Sequence, residues 1–179
     1  MKHALIALAL LGGLAACNAE PTAASGTETS DAAAAGVTVN DDNKGPIFID
    51  PKGETNVAVS GYDAVSYFED DGVPVKGSKE FGVKYNGVDY HFSSDANAKK
   101  FAADPAKFAP KYGGHCAWAM SRGRLATADP TKYTIVDGGL YLNFDQAVQD
   151  KWLKDIPGFI EKADKAWPGI DPKSSFDNQ

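Results

Sequence analysis

Cysteine, histidine and long apolar runs are scarce in this chain of 179 residues, and each scarcity excludes a class of protein. Two cysteines cannot build a disulfide-rich scaffold. With only three histidines and no Cys-x-x-Cys spacing, the chain also lacks the pattern of a zinc finger. The longest apolar run, residues 4–11, is shorter than the about 20 residues that a transmembrane helix needs. A formal net charge of −6 offers no basic surface for a polyanion, which disfavours nucleic-acid binding.

The amino terminus has the pattern of an exported protein. Lys2 precedes the apolar run, and Leu14-Ala15-Ala16-Cys17 follows it, in a sequence that resembles a bacterial lipobox. A positive residue, a short apolar segment and small residues, in that order, are typical of a signal peptide. We therefore expect residues 1–16 to be removed and Cys17 to carry acyl chains such as palmitate. The alternative is ordinary secretion with an incidental cysteine.

The lipid would be the membrane partner of this acidic chain, and the sequence identifies no protein partner. Asn18 follows Cys17, which resembles outer-membrane rather than retained inner-membrane lipoproteins. We expect the protein to face the periplasm. Residues 17–45 are rich in Ala, Thr, Ser and Gly, which predicts a flexible tether. A folded domain over residues 46–168 and a polar tail over 169–179 complete the expected organisation.

Two hairpin-then-helix blocks follow each other in the predicted domain. Asn86-Gly87 and Asp137-Gly138-Gly139 separate pairs of apolar strands, and such residues are typical of hairpin turns. Helices are expected after Ser93 or Ser94, from Pro105 and from about Asp145. The pattern predicts an α+β fold, with a small antiparallel sheet built from two β-hairpins, each followed by packed short helices.

The helix expected from Asp145 has an apolar stripe that we predict to be core. Pro157-Gly158 is expected to end this helix, and Phe159 to Trp167 to form a last helical segment. The predicted core stripe consists of Val148, Trp152, Leu153 and Ile156.

Only two histidines and one thiol are left for chemistry once the expected leader is removed. If residues 115–122 are helical, Cys116 and Met120 share a face, and His115 adjoins the cysteine. Thiolate, thioether and imidazole suit Cu(I), or zinc without the methionine. The alternative is that Cys116 and Met120 are simply core residues. Because His115 adjoins Cys116 in sequence, proton abstraction from the thiol is disfavoured, and we expect no enzymatic activity.

Three segments resemble the YHS-domain family, in particular its exported single-domain members. They are Gly61-Tyr-Asp-Ala-Val-Ser-Tyr-Phe68, Tyr85-Asn-Gly-Val-Asp-Tyr-His-Phe-Ser-Ser94 and Tyr112-Gly-Gly-His-Cys-Ala-Trp118, within a similarity that runs from about residue 57 to residue 167. YHS domains elsewhere accompany copper-transporting ATPases and metal-handling proteins, so the resemblance implies a small metal-binding or metal-sensing module.

The chain departs from cysteine-rich relatives at the positions that carry their metal ligands. The matching residues here are Ser60, Ser93 and Asn97, none of which is a thiol. Metal binding, which the resemblance implies, would therefore have to use His91, or a site relocated to the segment around Cys116.

Two functions follow as expectations, beside a purely structural domain in which Cys116 is wholly buried. The first is a lipid-anchored module that binds a transition metal, copper or zinc. The second is a metal-free module for a small organic ligand or a protein partner, with an aromatic pocket. The expected metal ligands are His91, His115, Cys116 and Met120. The expected pocket residues are Tyr62, Tyr90, Trp118 and Arg122.

Overall fold

Two β-hairpins organise the residues that the computed structural model describes, which are 37–39, 45–69 and 71–174. Strands β2 (Ser78–Tyr85) and β3 (Val88–Phe92) form the first hairpin, and β1 (Val37–Val39) adds to β2 in parallel. Strands β4 (Asp129–Val136) and β5 (Gly139–Asn143) form the second hairpin. The predicted α+β fold is confirmed, and the two hairpins lie in separate sheets.

The hairpin turns follow from residues that tolerate positive φ. Asn86 and Gly87 have φ of 48° and 83°, and Asp137 and Gly138 have φ of 48° and 74°. Positive φ at both central residues is the geometry of a type I′ turn, which matches the twist of the strands it joins. Each hairpin pairs an eight-residue strand with a five-residue one and shifts register near the start of the long strand. The two blocks are therefore built alike.

Short helices follow each hairpin, and polar side chains cap them as the sequence predicts. The side chain of Ser94 accepts a hydrogen bond from the Asn97 N–H, and that of Asp145 accepts one from the Val148 N–H. Asp104 does the same ahead of Pro105. Such caps satisfy N–H groups that have no partner inside the helix. The helices are α1 (Asp95–Ala103), α2 (Pro105–Phe108), α3 (Ala117–Met120), α4 (Gln146–Trp152) and α5 (Ile156–Ala166).

The boundary between α4 and α5 corrects one prediction. Asp155 caps a new helix, so Pro157 and Gly158 lie in the first turn of α5 rather than ending a helix. Proline is tolerated there because its missing N–H would have no partner in any case. Leu153, expected in the core, lies beyond the end of α4 and is 51% exposed, whereas Trp152 is fully buried.

The core consists of two clusters. Phe92, Tyr90 and Phe101 pack together in the first, with ring centroids 4.7–4.9 Å apart for the two contacts with Phe101. Trp152 and Tyr141 anchor the second, with ring centroids 5.5 Å apart. In each cluster, aromatic side chains of a strand therefore pack against those of a helix that follows it.

The amino-terminal segment departs from the predicted tether. Val37–Val39 lies within residues 17–45, yet it forms a strand whose Thr38 pairs with Lys84 of β2. The β-branched sequence Val-Thr-Val favours extended backbone, and the edge of β2 supplies the hydrogen-bonding partner. Cys17, residues 1–36 and 40–44, and the end of the tail from 175 lie outside the described residues. Among the residues described, none of the helices has the length and apolar character required to span a membrane.

Candidate functional site

The backbone around Cys116 differs from the helix that the sequence predicts. His115 has φ −71° and ψ 161°, Cys116 has φ −57° and ψ 114°, and α3 begins only at Ala117. The N–H of Cys116 donates to the carbonyl of Ala126 at 3.0 Å, and Cys116 forms a parallel bridge with Leu142. Successive side chains of extended backbone point to opposite sides. His115 and Cys116 are therefore directed apart rather than toward one point.

Cys116 and Met120 do not share a face. The cysteine is 1% exposed and belongs to the first core cluster, whereas Met120 belongs to the second. The thiol donates to Oδ1 of Asn143 at 3.9 Å. Burial raises the pKa of the Cys116 thiol, because desolvation disfavours the thiolate. The prediction of a common helical face was wrong because Cys116 precedes the helix.

The two histidines lie on different elements, His91 in β3 and His115 directly after the turn Lys111–Gly114. Nδ1 of His115 lies 3.0 Å from the carbonyl oxygen of Tyr112, and its ring packs against Phe48 with centroids 5.6 Å apart. Burial lowers the pKa of His115. His91 is a buried residue of β3, opposite Gly82 of β2.

The donor set does not fit copper or zinc. Nowhere in residues 37–39, 45–69 and 71–174 do three or more His, Cys, Asp or Glu residues form a group that could hold a metal ion. A zinc or copper site needs several donors around one point and a deprotonated thiolate. Here burial raises the pKa of the Cys116 thiol and so disfavours the thiolate, and Met120 packs in the other core cluster. The predicted four-residue metal set is not assembled in this fold.

Ser93 and Asn97, two of the three positions where the sequence lacks the expected thiols, belong to a hydrogen-bond network around a buried carboxylate. Oδ2 of Asp63 accepts from the N–H and the hydroxyl of Ser93, at 2.9 Å and 2.6 Å, and from the Asn97 amide at 2.8 Å. Oδ1 accepts from the Val65 N–H at 2.8 Å. Buried charges persist in proteins when they are satisfied in this way. Ser93 and Asn97 therefore tie β3 and α1 to the segment that carries Asp63.

The four predicted pocket residues line three different cavities. Trp118 and Arg122 line one of about 400 Å³, Tyr62 lines one of about 410 Å³, and Tyr90 lines one of about 270 Å³. Tyr90 is almost completely buried and serves mainly as core. Only the pair Trp118 and Arg122 is brought together as predicted.

The cavity lined by Trp118 and Arg122, here called the Trp118 cavity, has two cations beside one indole. The guanidinium carbon of Arg122 and Nζ of Lys151 each lie 5.0 Å from the centroid of the Trp118 ring. Among the described residues neither cation forms an ion pair. Apolar walls complete the cavity, and Cys116 lies at its inner side. The remaining lining residues include Ala119, Ala126, Phe144, Asp145 and Val148.

Lys151 was missed by the sequence analysis. It lies in the second turn of a helix that the sequence does predict, yet nothing local links that helix to α3. The contact between α3 and α4 brings Lys151 beside Trp118. Because this packing joins residues more than thirty positions apart, neither the spacing nor the type of Lys151 could have identified it.

Comparison with protein families identifies the first half of the fold. The YHS domain matches residues 67–112, which comprise most of the segment from the turn at Ser66–Phe68 to the turn at Lys111–Gly114. The match includes Tyr90 and His91 and ends before the Trp118 cavity. No curated protein and no solved structure matches the chain. The chain is therefore similar to the YHS domain over residues 67–112.

Proposed function

We propose that the protein is a binding module for a small organic anion, which it takes up in the Trp118 cavity. The observation that carries this proposal is the convergence of Arg122 and Lys151 on one indole ring. Arg122 and Lys151 outnumber the one carboxylate on the lining, that of Asp145, so the cavity carries a net positive charge that attracts an anion. A carboxylate suits the guanidinium of Arg122 in particular, since it can accept two parallel hydrogen bonds.

The rest of the cavity defines the body of the ligand. Phe144, Val148 and Ala126 provide an apolar wall beside the indole. Cavities of roughly 300–1,000 Å³ with apolar walls and few polar groups are typical of small-molecule sites, and this one measures about 400 Å³. The favoured ligand is a planar or apolar body that carries one carboxylate or similar acid.

The chemistry of the lining supports binding rather than catalysis. Cys116 is the only thiol on the lining, and its raised pKa disfavours the nucleophilic thiolate. The carboxylate of Asp145 accepts the hydrogen bond that caps α4. No histidine lies among the residues that line the cavity. The lining therefore lacks the nucleophile-and-base pair that covalent catalysis uses.

We further propose that the domain is anchored through lipid on Cys17, at the periplasmic face of the outer membrane. The support is the lipobox-like sequence and the residue that follows the cysteine. Mass spectrometry of the mature amino terminus should show an acylated Cys17, and membrane fractionation should place the protein in the outer membrane. A Cys17→Ser variant should be soluble. An unmodified Cys17 in the mature wild-type protein would contradict the anchor.

The binding proposal is tested with two probes of nearly the same shape. Isothermal titration calorimetry would compare benzoate, an anion, with neutral benzamide, using the Cys17→Ser chain. We expect benzoate to bind at least about tenfold more tightly, a difference of about 1.4 kcal/mol, and more weakly at high salt. Trp118→Ala and the double variant Arg122→Gln, Lys151→Gln should remove this preference.

A matched control is available on another helix. Lys162 also lies over an aromatic ring, 5.6 Å from the centroid of Phe159, outside the residues that line the Trp118 cavity. Lys162→Gln removes one cation–aromatic contact and one positive charge, yet it should leave benzoate binding unchanged. Equal binding of benzoate and benzamide, or equal loss in the Lys162 variant, would contradict the proposal.

A further inference from the structure

A second cavity lies beside the Trp118 cavity and differs from it in chemistry. Phe144 lines both cavities, and the neighbouring residues Ala126 and Thr127 line one each. The second cavity has a volume of about 410 Å³ and is lined by Phe48, Ser60 and Tyr62 among others. We call it the Tyr62 cavity.

The charges of the Tyr62 cavity balance. Two carboxylates, Asp50 and Asp129, and two ammonium groups, Lys52 and Lys76, line it. Nζ of Lys76 is already engaged, since it donates to the carbonyl of Ser60 at 2.7 Å and lies 4.1 Å from the centroid of the Tyr62 ring. An anion would be repelled by the carboxylates and a cation by the lysines. The cavity therefore favours a neutral, polar ligand.

A strained turn places polar groups on this cavity. Val59, Ser60 and Gly61 have successive φ values of 53°, 49° and 75°. Left-handed backbone is rare for a β-branched residue and is strained at any residue other than glycine. Burial of Val59 and the bond from Lys76 to the Ser60 carbonyl hold the turn in place. The turn directs the chain so that Ser60 and Tyr62 both line the cavity.

Hydrogen-bonding capacity remains on the acidic side chains. Oδ1 of Asp129 accepts from the N–H and the hydroxyl of Thr131, both at 2.8 Å, and within the described part of the chain its Oδ2 has no hydrogen-bond donor. Oδ2 of Asp50 receives only a long bond, 3.4 Å, from the Ser60 hydroxyl. A carboxylate oxygen can accept two hydrogen bonds. The cavity thus offers acceptors together with hydroxyl and ammonium donors.

We propose that the Tyr62 cavity binds a saccharide. Sugar hydroxyls donate and accept hydrogen bonds, which matches a lining that carries carboxylates, a serine hydroxyl and lysine ammonium groups. The rings of Phe48 and Phe144, with the face of Tyr62 that Lys76 does not cover, provide apolar surfaces for the C–H faces of a pyranose. This site is separate from the proposed anion site and does not depend on it.

The test is a titration of the isotope-labelled Cys17→Ser chain followed by NMR. The probes are glucose and N-acetylglucosamine, with choline and benzoate as charged comparisons. We expect the saccharides to bind with a Kd of about 1 mM and to shift the amide signals of Ser60, Tyr62 and Thr131. Asp129→Asn keeps the oxygen that Thr131 uses but removes the free acceptor, and should weaken binding at least about fivefold, whereas Glu161→Gln on α5 should not.

Three results of this titration would contradict the proposed saccharide site. If choline shifts the same signals at lower concentration than the sugars, the cavity binds cations. If benzoate shifts them, the cavity is an extension of the Trp118 cavity. If neither sugar shifts them at concentrations well above the expected Kd, the cavity binds no saccharide. If benzoate does not bind in the Trp118 cavity, the saccharide titration of the Tyr62 cavity is unaffected. The two proposals can therefore be rejected independently of each other.

Discussion

The buried carboxylate of Asp63 accepts two hydrogen bonds from Ser93, one from the N–H at 2.9 Å and one from the hydroxyl at 2.6 Å. Asn97 donates to the same carboxylate oxygen at 2.8 Å. Ser93 and Asn97, two positions at which the sequence lacks the thiols that the resemblance implies, thus bind a side chain of the protein itself.

Asp63→Asn should strongly destabilise the protein. The amide supplies an NH₂ donor where Oδ1 or Oδ2 accepted hydrogen bonds, so donors such as Ser93 and Asn97 face another donor. Loss of hydrogen bonds to a buried charge costs about 1.5–3 kcal/mol each, and we expect at least about 3 kcal/mol in urea unfolding. The control is Glu54→Gln, which also converts a carboxylate to an amide but at an exposed position. This variant should leave the unfolding midpoint unchanged. A similar midpoint for both variants would contradict the structural role of Asp63.

Cys116 should be nearly inert in the native protein. Burial and the raised pKa of the thiol both slow its reaction, because the thiolate is the nucleophile. In the Cys17→Ser chain, where Cys116 is the sole thiol, reaction with Ellman's reagent should be slow in buffer and fast in denaturing urea. Rapid reaction at neutral pH without denaturant would show that the thiol is accessible.

Removal of Cys116 should have no effect on metal affinity. The thiol, His115 and Met120 are directed to different parts of the fold, so they cannot supply ligands to one ion. Titration of the Cys17→Ser chain with Zn(II) and Cu(I) should match titration of the same chain carrying Cys116→Ala. Stoichiometric binding that is lost in the Cys116→Ala protein would restore the metal hypothesis and require a rearranged segment 115–120.

The stability of the protein should fall on acidification through the titration of His115. Burial lowers the pKa of this histidine in the folded state below its ordinary value of 6.5, so the unfolded chain binds the proton first. The stabilising contribution is therefore complete above about pH 6.5 and is lost as the pH falls toward the folded pKa. Urea midpoints between pH 7.5 and pH 5 should decline less in His115→Phe, which keeps a ring beside Phe48. Parallel declines in both proteins would assign the acid sensitivity to other groups.

Gly113 should tolerate alanine less well than Gly138, although both have positive φ. A Cβ at Gly113 would lie 2.1 Å from the carbonyl oxygen of Pro46, whereas nothing lies within 4 Å of a Cβ at Gly138. Gly138→Ala should cost only the about 1–2 kcal/mol of left-handed backbone. Gly113→Ala should cost about 1–3 kcal/mol more, since the backbone must shift. Equal unfolding free energies would mean that the segment around Pro46 moves freely.

Local sequence determined the elements of this fold. Asn86-Gly87 and Asp137-Gly138 specified the hairpins because they adopt positive φ readily, and Ser94 and Asp145 specified helix starts because their side chains accept backbone hydrogen bonds. These effects act between residues a few positions apart. They can be predicted without knowledge of the rest of the chain.

Tertiary structure decided the candidate site, because its parts are distant in sequence. Cys116 could be paired with Met120 only on the assumption of a helix, whereas a bridge to Leu142 holds Cys116 in extended backbone. Lys151 reaches Trp118 only through the packing of α4 on α3. Residue types and spacing showed which groups were available for chemistry. Long-range packing of the two hairpin-and-helix blocks determined which of those groups meet, since burial and contact between distant residues depend on the whole fold.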